Sequence, residues 1–297
     1  MFKGSIVAIV TPFKKSGRVD ENKLKELVEF QIQNGTNGIV PCGTTGESPT
    51  LSTAEHERVI EICIKVANKR VPIIAGTGSN STEEAISLTK HAADAGANGA
   101  LIVSPYYNKP TQKGLYLHFK AIAEAVEIPI ILYNIKGRTA VNIETLTMAR
   151  LANDCSNIVG VKEASGSLDQ AKDVKKACGQ DFLILSGDDN MTLDILKIGG
   201  HGVISVAANI IPQDIVAMIN AFNKGNVKEA EEIHKRLLPL CGALFIETNP
   251  IPVKQAMEYL GMCSHQMRLP LCDMEPENAE KLKLALEQYG LLTPAKR

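Results

Sequence analysis

Eight short aliphatic runs alternate with amphipathic stretches through the first two-thirds of this chain, and that alternation restricts the fold more than any other feature. The runs are Ser5–Val10, Gly38–Val40, Val71–Ala75, Ala100–Val103, Pro129–Tyr133, Ile158–Lys162, Phe182–Ser186 and Val203–Val206. Continuous Ile, Val and Leu fit parallel strands covered on both faces. Helical patterns fill the gaps. Asp20–Gln33 sets Leu24, Leu27, Val28 and Ile32 on one face behind an Asp20 cap, and Ser52-Thr53-Ala54-Glu55 and Asn80–Glu84 open two further helices. Gly35-Thr36-Asn37-Gly38, Gly96-Ala97-Asn98-Gly99 and Gly199-Gly200-His201-Gly202 recur at helix-to-strand joints. Their first glycine suits a left-handed helix stop, and their place before a strand is the wrong one for a phosphate loop.

Eight strand–helix units fit a closed (β/α)8 TIM barrel or an open doubly wound sheet. No Gly-x-Gly-x-x-Gly follows the first strand, which favours the barrel, and 297 residues suffice for one with extra helices. The strand signal ends near residue 208. Helices are then expected over Gln213–Asn223, Asn226–Phe245, Pro252–Leu260 and Glu277–Tyr289, with a tail at Thr293–Arg297. Residues 1–224 are therefore read as a catalytic barrel and 225–297 as a C-terminal helical region.

A net charge of −1 with no strongly basic half argues against nucleic acid, and no apolar run is long enough for a bilayer. Met1–Val7 leads straight into a strand, without the layout of a signal peptide. The seven cysteines are scattered with no Cys-x-x-Cys, so neither a disulfide framework nor zinc is expected and the cytoplasm is the expected location.

In such a barrel reactive groups gather where strands end. The sixth run, Asn157–Gly166, ends in Lys162 and then a small-residue loop. Strict alternation puts Ile158, Gly160 and Lys162 on one face, with Gly160 leaving space below the lysine, and sends Glu163 to the outer helices or a loop. On its own, Lys162 is a strand-end lysine with an ion-pair partner. Its neighbours on the other loops change that. Tyr133 and Tyr107 offer phenols, Thr44 and Thr45 hydroxyls in a glycine-opened turn, and Arg138 a carboxylate fork. Asp188 and Asp189 are read as a helix cap rather than a magnesium site, and Cys42 as a small buried apolar residue. An amine, phenols and no metal ligand set point to Schiff-base chemistry on a keto acid without a metal or cofactor.

Gly43-Thr44-Thr45-Gly46-Glu47-Ser48, Pro105-Tyr106-Tyr107-Asn108, Tyr133-Asn134 with Gly137-Arg138-Thr139, and Gly160-Val161-Lys162-Glu163 occur in this order. In these motifs the chain resembles the dihydrodipicolinate synthase family of pyruvate-dependent lyases and synthases, from Gly4 to Asn249–Lys254. The resemblance implies condensation of pyruvate with aspartate 4-semialdehyde in lysine and diaminopimelate biosynthesis. Lys162 would form the Schiff base and Tyr133 would move protons. Thr44 would link Tyr133 to Tyr107, and Tyr107 would reach a neighbouring subunit in a homotetramer built as a dimer of dimers. Thr45 would hold the pyruvate carboxylate, Arg138 that of the semialdehyde, and Gly187 and Ile204 would line the pyruvate pocket through their carbonyls. Ser48, Pro49, His56, Asn80, Glu84 and Tyr106 fall where lysine-inhibited members bind lysine. Lys136 stands where the family usually has proline, which leaves the loop carrying Arg138 freer. The alternatives are a related aldolase acting on N-acetylneuraminate or a 2-keto-3-deoxy sugar acid, and a non-catalytic barrel that senses a keto acid.

Overall fold

The structure, a computed structural model, describes residues 2–293; all of the expected tail beyond Thr293 lies outside the described residues. Eight parallel strands follow the order β2-β1-β8-β7-β6-β5-β4-β3. They are β1 (Gly4–Ala8), β2 (Gly38–Val40), β3 (Ile74–Gly76), β4 (Gly99–Val103), β5 (Ile130–Asn134), β6 (Ile158–Glu163), β7 (Leu183–Ser186) and β8 (Gly202–Ser205). A parallel bridge between Ile39 and Ile73, with Ile39 N–H donating to Pro72 O at 3.0 Å and Gly76 N–H to Pro41 O at 2.9 Å, closes β2 onto β3. The expected barrel is thus closed. The third strand starts later than its aliphatic run, which spends Val71 and Pro72 on the approach.

Helices α1 (Glu21–Gln33), α2 (Thr53–Ala67), α3 (Thr82–Asp94), α4 (Gln112–Ala125), the single turn α5 (Lys136–Thr139), α6 (Thr145–Asp154), α7 (Leu168–Cys178), α8 (Thr192–Lys197) and α9 (Pro212–Asn223) surround the strands. The caps are those the sequence signals. Asp20 accepts from Lys23 N, Ser52 and Glu55 form a reciprocal capping box, and Ser81 accepts from Glu84 N. The glycine repeat also behaves as expected, with Gly35, Gly96 and Gly199 at φ +82°, +95° and +86°. Its third residue does something the sequence did not indicate. Asn37 Oδ1 accepts from Ser5 N, Asn98 Oδ1 from Ile73 N and His201 Nδ1 from Ile184 N, so each side chain fastens the N-terminal end of an adjacent strand.

Ile6, Ala8, Val40, Ile74, Leu101, Ile131, Leu185 and Ile204 fill the barrel interior, and Phe2 joins them from the N-terminal end. After α9 the chain forms α10 (Val227–Ala243), α11 (Ile251–Tyr259) and α12 (Pro276–Tyr289). Leu237, Leu240, Val253, Met257 and Leu282 join one core with Val7 and Val28 of the barrel. Burying this apolar surface keeps the C-terminal helices on the barrel. No helix among the described residues is long and apolar enough to cross a membrane.

Candidate active site at the C-terminal end of the barrel

Strand β6 does not alternate strictly. Ile130 pairs with Ile158 but Ile131 with Gly160, so Val159 is an extra residue in the ladder. Ile158 and Val161 pack outward among the helices, whereas Val159 contacts the interior cluster. The expectation that Ile158 shares the face of Lys162 is therefore wrong by one bulge. Nor does Gly160 leave a void. A Cβ there would lie 2.5 Å from Leu183 Cβ, so glycine is needed for the close approach of β7.

Lys162 pairs in register with Tyr133 of β5 and Leu185 of β7. It is 5% exposed, and its Nζ stands 4.1 Å from the centroid of the Tyr133 ring. Among the described residues, Lys162 Nζ has no carboxylate partner. Glu163 is turned away, as alternation predicts. It accepts from Ser165 N at 2.8 Å and from the amides of Asn134 and Gln170 at 3.3 Å. Burial pushes the Glu163 carboxyl up, while these donors pull it down. Beside the lysine, a Cβ on Gly187 would lie 3.1 Å from Lys162 Cε and 2.5 Å from Ala164 Cβ, so only glycine leaves that stem its path.

The Gly43–Ser48 turn is tied from far along the chain. Thr45 is buried, and its Oγ1 accepts from Asn249 Nδ2 at 3.0 Å. Asn249 O accepts from Arg138 Nη2 at 3.0 Å, so one residue joins the threonine turn to the arginine. Arg138 rides on α5. That turn is held by Thr139, whose hydroxyl is within hydrogen-bond distance of Ile135 O and Val141 O, and it closes with Ala140 at φ +59°. The loop with Lys136 takes the form of a helical turn.

A cavity of about 390 Å³ opens beside these groups. Thr44, Tyr133 and Arg138 are among its lining residues, and so are Ser48, Pro49, His56, Glu84 and Tyr106. Lys162, Thr45, Gly187 and Ile204 are not among its lining residues; Lys162, Thr45 and Ile204 are buried. Asn80 does not line it either. Its carbonyl accepts from Asn108 Nδ2 at 2.9 Å, which couples the loops after β3 and β4. His56 Nε2 donates to Gly76 O at 2.9 Å, and burial pulls its pKa down. Tyr107 stays outside: at φ +70° it is 89% exposed. Cys42 is buried as expected, at φ +55°, and burial pushes its thiol well up. Asp188 caps the next turn through Asn190 N, and Asp189 accepts from Ser205 Oγ and the N–H groups of Val206 and Ala207.

The Dihydrodipicolinate synthetase family profile matches residues 1–289. The chain belongs to that family. It is 60% identical over 292 residues to the 4-hydroxy-tetrahydrodipicolinate synthase of Syntrophus aciditrophicus (strain SB), covering 98% of this chain and 100% of that one. The crystal structure of dihydrodipicolinate synthase from Acinetobacter baumannii complexed with pyruvate superposes with a TM-score of 0.96 at 48% identity, over 98% of this chain and 100% of that one. The enzyme from Cyanidioschyzon merolae with lysine bound gives 0.95 at 45%, over 98% and 99%.

Three residues that organise the family's loops here carried no role in the sequence reading: Asn249, Glu47 and Lys254. A signal for the last was present. Lys254 is a lone cation among Ile251, Pro252, Val253, Ala256 and Met257, all buried on one short helix.

Proposed function

We propose that this chain condenses pyruvate with L-aspartate 4-semialdehyde to give 4-hydroxy-tetrahydrodipicolinate, in the cytoplasmic biosynthesis of diaminopimelate and lysine. The observation that carries the proposal is the buried amine of Lys162, with no carboxylate partner among the described residues and 4.1 Å from the Tyr133 ring centroid, in a chain of this family. Lys162 attacks the keto carbon, water leaves, and the imine draws electrons from the methyl carbon as a proton departs. The resulting enamine carbon attacks the aldehyde. Tyr133 passes the protons, with Thr44 and the partner subunit's tyrosine completing the relay. Thr45 holds the pyruvate carboxylate, Gly187 and Ile204 line its pocket, and Arg138 takes the carboxylate of the semialdehyde. Residues 1–224 form the catalytic unit and 225–297 support it.

Tyr107 serves a neighbouring subunit within a tetramer of two dimers. Its exposure at a left-handed backbone position supports this, because such a side chain is displayed outward and open to a second subunit. L-Lysine inhibits by binding among Ser48, Pro49, His56, Glu84 and Tyr106, with Asn80 on the adjoining loop. The presence of Ser48, His56, Glu84 and Tyr106 in the lining of the cavity supports this reading.

Incubation with pyruvate and borohydride, followed by peptide mass spectrometry, tests the chemistry. A reduced pyruvyl adduct on Lys162 is expected, and its absence would refute the mechanism. Supplying aspartate semialdehyde, N-acetylneuraminate or 2-keto-3-deoxy sugar acids as second substrate then separates synthase from aldolase. Turnover unchanged by millimolar L-lysine would remove the regulatory reading.

A further inference from the structure

Glu47 occupies a position that its residue type disfavours. Its φ of +55° is left-handed, a conformation open to glycine at little cost and strained for a side chain. Yet a glutamate stands there, and it is completely buried. Its Oε1 accepts from Lys254 Nζ at 2.5 Å, with both side chains 0% exposed, and its Oε2 accepts from Arg268 N at 3.2 Å. Lys254 Nζ also donates to Thr11 O at 3.0 Å and stands 4.5 Å from the Phe13 ring centroid. Thr11 in turn donates its hydroxyl to Gly46 O at 2.7 Å. Burial draws the Lys254 pKa down while Glu47 pushes it back up. Neither Glu47 nor Lys254 lines the cavity, so neither meets a substrate there.

A buried ion pair is a poor device for stability, since an apolar pair of similar volume serves as well or better. What this pair does uniquely is fix a turn. Glu47 lies two residues from Thr45, and the same C-terminal segment holds Thr45 directly through Asn249. Because the Asn249 amide donates to Thr45 Oγ1, the threonine hydroxyl hydrogen is directed at some other acceptor.

We propose that the buried Lys254–Glu47 pair positions the Thr44–Thr45 turn for its substrate carboxylate, so that α11 sets keto-acid affinity without touching the ligand. The proposal rests on the reading of Thr45 as the carboxylate holder and Lys162 as the nucleophile. A positioning role of this kind separates substrates by their carboxylate. Pyruvate depends on the turn; acetone, a ketone without a carboxylate, does not.

The test compares trapping of pyruvate and of acetone on Lys162 with cyanoborohydride, which delivers hydride to the imine carbon once water has left. K254M strands Glu47 as an unpaired buried charge, so E47Q/K254M, which removes both charges, is run beside it. Folding of each is checked by circular dichroism and thermal melting. In the folded double variant the pyruvate concentration for half-maximal trapping should rise about tenfold, the loss of one charge-assisted hydrogen bond. Acetone trapping should stay within about twofold of the unmodified protein. An unchanged pyruvate requirement, or an equal fall in pyruvate and acetone trapping, would overturn the positioning role. Absence of a pyruvate adduct on Lys162 in the unmodified protein would overturn the reading beneath it instead.

Discussion

Among the described residues two lysines are buried beneath the same end of the barrel, and they differ in their partners. Lys162 and Lys254 each hold Nζ near an aromatic ring, at 4.1 Å from Tyr133 and 4.5 Å from Phe13. Lys254 has a carboxylate and a carbonyl; Lys162 has neither among the described residues. The paired lysine is a strut whose charge is fully used by the protein. The unpaired one, under the proposed mechanism, would keep its nitrogen for an incoming carbonyl carbon. Burial alone does not make a lysine a candidate nucleophile; burial without a partner does.

Exchanging or deleting the features of each lysine should break the comparison in opposite ways. Lys162→Ala should abolish turnover with little change in melting temperature; a rate near that of the unmodified protein in a steady-state assay would refute the assignment. Tyr133→Phe should slow turnover by about 10²–10⁴-fold with the fold intact, as expected for loss of a proton carrier. Lys254→Met should act first on stability, costing about 3–5 kcal/mol in urea unfolding, because it leaves Glu47 buried and unpaired. A loss below about 1 kcal/mol would mean that water or Arg268 takes over the carboxylate.

The smallest effect concerns the partly buried clamp beside that strut. The Arg268 guanidinium holds the Glu55 carboxyl down at about 2, from an ordinary 4.5. A folded-state value below the unfolded one adds stability that is complete above pH 4.5 and drains away as pH falls toward 2. The stability difference between the unmodified protein and Glu55→Gln should therefore shrink over that interval in urea titrations. The Arg268 guanidinium also lies 4.5 Å from the Phe13 ring centroid, and a difference independent of pH would show that the clamp works through that packing rather than through charge.

Local signals carried most of the fold. The aliphatic runs gave the strands, and Asp20, Ser52 and Ser81 cap as their residue types require. The phase of β6 was hidden because a bulge leaves no mark in an aliphatic run; Val159 reads like its neighbours. Among the site residues, Lys162, Tyr133, Thr44 and Arg138 could be picked out from their place after strands. The Glu47–Lys254 tie could not: Lys254 stands out as a lone cation in an apolar helix, but its partner is 207 positions away and nothing local names it. The left-handed positions of Cys42, Glu47, Tyr107, Lys109 and Ala140 were equally invisible, because none is glycine. They gather in the loops after β2, β4 and β5, where surrounding contacts hold strain in place.

The side chains of Asn37, Asn98 and His201 act at the opposite end of the barrel. Each fastens a strand using the joint that delivers the chain to the next one, so the floor is latched by its own connectors. A latched floor leaves the rim mechanically independent. Loops at the rim can adopt strained turns, or be exchanged for others, without the staves of the barrel slipping against one another.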